Sequence, residues 1–279
     1  MRTDLGTYGV WLRTNDLEGA AGPQLAAAVE ELGFGTLWVG TSRGDDLRQQ
    51  ESLLAATTRL VVSTGILNIW TSRPAATAAS YHRIAGRFPD RFQLGVGIGH
   101  PENTAEYASP YGTTVTYLDA LADADVPADR TVLAALGPRV LRLAGDRTAG
   151  AHPYLTVPEH TRQAREILGA GPLLAPEHKV VVEVDPDRAR AIGRDAVQYY
   201  LRLTNYTKML RRFGFTEADL ADGGSDALVD ALVLHGDAET VAAGLRRHLE
   251  AGADHVAVHP VGDVLPTLRA LAPLLAGAA

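Results

Sequence analysis

Five stretches of this chain are apolar on both faces or nearly so: TLWVG (36–40), LVVSTGIL (60–67), FQLGVGI (92–98), KVVVEV (179–184) and HVAVHPV (255–261). A strand exposed on one side alternates apolar and polar residues. A strand that stays apolar is covered on both sides, as in a parallel sheet wrapped by helices. Shorter runs at 8–12, 131–135 and 149–152 extend the series, the last being the weakest signal. Helical periodicity fills the intervals from Pro23 to Gly33 and over 47–58, 74–88 and 114–124, and closes the chain over 264–275. Eight strands, most followed by a helix, favour a closed sheet over an open one. The expected fold class is α/β: a single (β/α)8 TIM barrel over 1–279, with a helical insertion at about 187–234 before the last strand. Glycines at 214, 223 and 224 break that insertion, and Thr216 with Asp219 spells a short capped turn.

A chain of 279 residues suits one such barrel. Its formal net charge of −7 argues against sequence-independent nucleic-acid binding, which needs a basic face. There is no cysteine, which removes disulfides, thiolate catalysis, iron–sulfur clusters and thiolate zinc sites together. The first residues lack the apolar core of a signal peptide, and no apolar run approaches a membrane span, so no membrane partner and a cytoplasmic location are expected.

The stretch 131–160 says most about chemistry. An apolar run ends in Ala134-Ala135-Leu136, Gly137-Pro138 opens a helix, and Gly150-Ala151-His152 closes the next strand. Pro138 fits a first helical position, and the free amides of a helix start attract an anion such as a phosphate.

Functional residues of parallel barrels lie at the C-terminal strand ends. That rule selects Trp11 and Arg13, Thr41 and Ser42, Asn68 and Trp70, Gly99 and His100, then 135–139, His152, Tyr154 and His259. GVGIGH (95–100) is not a dinucleotide fingerprint, because His100 stands where the third glycine belongs. Its small residues are expected to let a flat ring lie against the strand ends. No phosphate-loop signature, H-E-x-x-H pair or G-x-S-x-G elbow occurs, so no metal site and no serine hydrolase is expected.

RLVVSTGILNIWTSRPAATAASYHRIAGRFPDRFQLGVGIGHP and LAALGPRVLRLAGDRTAGAHPYLTVPEHT together resemble the bacterial luciferase-like monooxygenase superfamily. The likeness is to the branch using the deazaflavin coenzyme F420, and GPLLAPEHKVVVEVDPDRARAI and GADHVAVHPV extend it over nearly the whole chain. The resemblance implies a non-prolyl cis peptide at Gly65-Ile66, with Thr64, Gly65, Ile66 and Leu67 backing the ring and Asn68 hydrogen-bonding near it. It assigns Ala135, Leu136, Gly137, Pro138 and Arg139, with Gly150, Ala151 and His152, to the cofactor's ribityl chain and phosphodiester. Gly99 and His100 fall at the rim facing the ring. A homodimer is implied as well.

Sugar-phosphate dehydrogenases of this superfamily carry an acidic residue and a histidine after strand two. Here Gly40-Thr41-Ser42 stands there, so sugar-phosphate oxidation is not expected. The expected activity is hydride transfer between F420 and a small organic substrate. His100 and His259 are the candidate proton donors, and Trp11 and Trp70 the walls of the substrate side. Arg139 is a candidate for the cofactor's phosphate or acidic tail, while Arg43 and Arg73 read as ordinary loop charges. The alternatives are a monooxygenase using reduced FMN, and a barrel that binds a cofactor without turnover.

Overall fold

The computed structural model describes residues 3–42, 44–104 and 107–275. Among the described residues eleven strands form one sheet: β1 (Tyr8–Arg13), β2 (Thr36–Gly40), β3 (Val61–Thr64), β4 (Leu67–Asn68), β5 (Phe92–Gly97), β6 (Thr131–Leu133), β7 (Gly150–Ala151), β8 (Leu173–Leu174), β9 (Glu177–Val182), β10 (Val233–Gly236) and β11 (Val256–Pro260). Every ladder between them is parallel. The order runs β10-β9-β11-β1-β2-β3-β5-β6-β7-β8, with β4 beside β5. Only Ala175 and Pro176 separate β8 from β9, so the sheet curls back on itself in a TIM-barrel-like fold.

Three differences from the sequence expectation explain why eleven strands stand where eight were expected. The third strand is interrupted at Gly65–Ile66, whose peptide is cis, as the resemblance implied. The seventh begins earlier, as β8, and bends at Pro176, which has no N–H to give a ladder. The segment expected to be helical over 187–234 ends in β10, which lies parallel to the outer end of β9 through pairs such as Val233 with Lys179. The rest of that segment is helical, in Pro186–Val197, Thr204–Arg212, Glu217–Leu220 and Asp226–Leu232. The capping box of Thr216 and Asp219 forms as read. The helix Pro158–Leu168 was not foreseen, and the helix expected over 114–124 begins earlier, at Pro110.

Period-two alternation divides the sheet's two faces. Val10, Leu12, Leu37, Val39, Val62, Leu94 and Val96 point outward into the large core shared with the helices. Trp11, Trp38, Val61, Val132 and Ala257 point inward and pack together inside the curl. Burying each of these valines and leucines contributes about 1.5–3 kcal/mol, so both layers stabilise the fold. The inserted helices carry a third core around Val197, Tyr206, Leu210 and Val229. No helix among the described residues is long and apolar enough to cross a membrane.

Candidate functional site

A cavity of about 690 Å³ opens where the strands end and the inserted helices cross over them. That size falls within the range of small-molecule and cofactor sites. Its roof is fastened to the loop after β5. Glu102 accepts from the Thr204 backbone N–H and hydroxyl, Asn103 donates to the Tyr199 hydroxyl, and Asn205 Nδ2 lies 3.4 Å from His100 Nδ1.

The cavity gathers many of the residues singled out from the sequence. Trp11, Gly65, Ile66 and Asn68 line one part of the wall, and Gly99 and His100 another. Ala135, Leu136, Gly137 and Arg139 line it at the helix start, and His152 borders it from β7's end. Other candidates stand behind this lining. The Thr64 hydroxyl is buried between the carbonyl and amide of Gly95, and Leu67 is core. Gly150 and Ala151 are the ladder residues of β7, and Pro138 is the first residue of the helix Pro138–Arg147. Trp70 donates to the Ile98 carbonyl and packs on Tyr107, outside the lining. Arg73 is an exposed partner of Asp45, and Arg43 lies outside the described residues.

The glycines of β5 serve the protein before any ligand. A Cβ on Gly95 would stand 2.0 Å from the Thr64 carbonyl oxygen, and one on Gly97 would meet Ile66 and Ala134 at 2.9 Å. They make room for the bulge at Gly65–Ile66. Gly137 differs, since a Cβ there would face open space.

His259 is not at the rim. It is buried, not part of the lining, and donates from Nδ1 to Glu177 Oε1 at 2.6 Å. The same carboxylate accepts from Lys179 Nζ at 2.9 Å and, through Oε2, from the Leu155 amide. Burial disfavours the Glu177 charge, but Lys179 and the His259 N–H outweigh it and hold the carboxyl well below the usual range. Burial pushes His259 down to about 4, so its ring is neutral. Lys179 is fully buried, its ammonium 4.0 Å from the centroid of the Tyr154 ring and 5.1 Å from that of Tyr200. Tyr154, Tyr200 and Tyr206 form the aromatic floor and side of the cavity, and Trp11 completes it 5.0 Å from Tyr154.

The sequence reading missed Glu177, Lys179, Tyr200, Asn205 and Tyr206. A signal existed for the first two. Glu177 and Lys179 alternate around His178 ahead of a valine run, the spacing of two charges on one strand face.

His152 offers the sharpest test of what the cavity can hold. Its Nδ1 donates to the Ala175 carbonyl at 2.7 Å, and it stacks on Trp38 with centroids 4.0 Å apart. Burial pushes it down to about 4, so Nε2 is an unprotonated acceptor, and that atom has no partner among the described residues. A ligand hydroxyl or N–H would satisfy it. At the helix start, Gly137 brings no side-chain cap to the first amides of Pro138–Arg147. Arg139, Lys208 and Arg212 line the cavity, and none forms an ion pair among the described residues. Among the described residues there is no cluster of side chains able to hold a metal ion.

Residues 7–124 match the family model of luciferase-like monooxygenases. This luciferase-like segment runs from the β1 region to the helix Pro110–Asp123 and includes Trp11, the Gly65–Ile66 bulge and His100. No curated protein matches the sequence. Solved structures that share the fold include the following three. An F420-dependent secondary alcohol dehydrogenase, in complex with an F420–acetone adduct, aligns at 16% identity over 100% of both chains with a TM-score of 0.77. A coenzyme F420-dependent tetrahydromethanopterin reductase from Methanopyrus kandleri aligns at 15% over 95% of this chain and 97% of its own, TM-score 0.67. The oxygenating constituent of 3,6-diketocamphane monooxygenase from Pseudomonas putida, in complex with FMN, aligns at 14% over 95% of both, TM-score 0.68.

Proposed function

We propose that this luciferase-like protein is an oxidoreductase that moves a hydride between the deazaflavin F420 and a small carbonyl or imine compound. The observation that carries this reading is one cavity joining three features: a neutral His152 Nε2 with no hydrogen-bond partner among the described residues, a helix start without a side-chain cap, and three cations that form no ion pair among those residues. A tricyclic ring on a polyol–phosphate tether presents the matching groups: hydroxyl donors for His152 and an anion for the helix start and the cations. Bound and reduced, the cofactor supplies a hydride from its ring carbon.

The chain supplies orientation and dryness. Gly65 and Ile66 give the ring a wall, and Trp11, Tyr154 and Tyr206 exclude water from the other parts of the lining. Burial holds His100 below its ordinary value against the weaker pull of Glu102, so it meets a ligand as a neutral ring. With Asn205 donating toward Nδ1, its Nε2–H is left to orient a ring or substrate acceptor. The homodimer implied by the resemblance belongs to the same proposal.

Reduced FMN is the second reading, supported by a fold shared with an FMN-bound monooxygenase. Absorbance titration of the purified protein with each cofactor separates the two. Tight binding of FMN with none of F420 overturns the first, and retention of neither overturns both. Binding of F420 without oxidation of its reduced form by any of a panel of ketones, enones and imines leaves a binding barrel.

A further inference from the structure

We propose that Tyr200 is the proton donor to the substrate's heteroatom, its hydroxyl held in place by Tyr154. The assignment rests on the hydride-transfer reading above and names the acid which that reading lacks. Tyr154 donates to the Tyr200 oxygen at 2.8 Å. The Tyr200 hydrogen is therefore not used in that bond, and it has no acceptor among the described residues. Both rings line the cavity that also holds Gly65, Ile66 and His100.

The two histidines singled out from the sequence are poorer acids here. His259 gives its Nδ1 hydrogen to Glu177 and stays outside the lining. His100 is a neutral imidazole, and a neutral imidazole N–H releases its proton far less readily than a phenol, though it donates a hydrogen bond well. Burial raises the Tyr200 hydroxyl above its ordinary value, partly offset by the bond from Tyr154, so it carries its proton at neutral pH.

Lys179 makes the transfer easier. As Tyr200 gives up its proton, negative charge grows on the phenol, and the Lys179 ammonium lies 5.1 Å from the ring centroid in a dry interior. Lys179 is a positioning residue: it does not line the cavity, and Glu177 takes its hydrogen bond.

The carbon of a carbonyl or imine gains the hydride pair from a reduced deazaflavin, forming a C–H bond. The π bond breaks, its electron pair moves to oxygen or nitrogen, and that atom takes the Tyr200 proton. The substrate is reduced by two electrons and the deazaflavin oxidised by two. Tyr200 is left as a phenolate that still accepts from Tyr154 and regains a proton from water once the product leaves.

Tyr200→Phe keeps the ring over Lys179 and removes only the hydroxyl. The probes are F420 and cyclohexanone. F420 affinity by absorbance titration is expected to stay within about threefold of wild type. Single-turnover oxidation of reduced F420 by cyclohexanone is expected to slow by at least about a hundredfold. The infrared carbonyl band of cyclohexanone bound without cofactor is expected to shift to lower frequency in wild type, and to return toward the free position in Tyr200→Phe. Tyr154→Phe, with the donor hydroxyl kept, is expected to lose about tenfold in rate and to retain the band shift. Unchanged turnover in Tyr200→Phe, or one band position in both proteins, overturns the assignment. A wild-type protein that never oxidises reduced F420 overturns the function reading instead, and the infrared comparison then decides the hydroxyl's place by itself.

Discussion

The indole N–H of Trp11 donates to the carbonyl oxygen of Gly65 across 3.1 Å, tying the inward face of β1 to the bulge that interrupts β3. The same indole leaves no space at Gly40, where a Cβ would stand 2.0 Å from its ring. Trp11 is thus a strut for the cavity wall as well as part of it. Trp11→Phe keeps most of the apolar bulk and strands a buried carbonyl. The expected cost is about 1–3 kcal/mol in urea denaturation, with weaker cofactor binding by titration. Wild-type values for both would separate the indole bond from the shape of the wall.

Glu177 and Lys179 are a buried ion pair, and removing one partner leaves the other charge uncompensated. Glu177→Gln is expected to lose about 3–5 kcal/mol by chemical denaturation. The double variant Glu177→Gln with Lys179→Met takes out both charges and is expected to recover a large part of that loss. A double variant no more stable than the single one would show that the pair is not the source of the cost.

How much of this was legible depended on length of signal. β2 was readable residue for residue because Leu37, Trp38 and Val39 form an apolar run between Gly35-Thr36 and the polar turn that follows Gly40. β8 is two leucines between glycines and a proline, too short to show any period. β10 follows the helix Asp226–Leu232 without a break, so its pattern merges with the helical one. The same error hid the site. A seventh strand read as starting at Lys179 cuts Glu177 off, and with it the partner that holds His259 away from the rim. Tyr200 and Tyr206 come from the insertion, where nothing local tells that a helix will fold back over the strand ends. The bulge at Gly65 was legible only through family resemblance, since a glycine in an apolar strand has many uses.

Two glycines separate the protein's needs from the ligand's. Gly95→Ala would push a methyl group against the Thr64 backbone carbonyl, which cannot swing aside as a flexible side chain would, and is expected to cost at least about 3 kcal/mol or to abolish soluble expression. Gly137→Ala meets nothing, so stability is expected to change by no more than about 0.5 kcal/mol. Cofactor affinity should nonetheless fall, because the added methyl occupies the approach to the helix start. Melting curves and titrations on the two variants give opposite patterns if this division is right.

Acid should destabilise the protein early. His152, His160, His178, His255 and His259 are buried and pushed down to about 4, against an ordinary value of 6.5. Between those values the unfolded chain binds more protons than the folded one. Their neutral state therefore favours folding fully above about pH 6.5 and loses its advantage as pH falls toward 4, by up to ~1.4 kcal/mol per pH unit for each histidine. Glu177, whose folded value is depressed, adds a further loss at still lower pH. Tm should drop steeply from pH 6.5 to 5. A flat profile there would mean these rings already carry protons in the fold.

The cations at the cavity's edge predict salt-sensitive binding. Arg139 stacks its guanidinium 3.7 Å from the Tyr111 ring centroid, Arg212 donates to Gln163, and Lys208 stands one helical turn before Arg212 on Thr204–Arg212. Positions four apart on a helix share a face, so Lys208 and Arg212 can meet one anion together. Lys208→Met and Arg212→Met are each expected to weaken F420 binding about tenfold, ~1.4 kcal/mol, and to flatten its dependence on salt. Arg139→Met should do the same and also free the Tyr111 ring. Riboflavin, which has the ring and polyol without the phosphate, is the control: its weaker binding should respond to none of the three changes. Equal losses for riboflavin and F420 would place these side chains against the ring or the roof, and the anion would then have to be sought at the helix start alone.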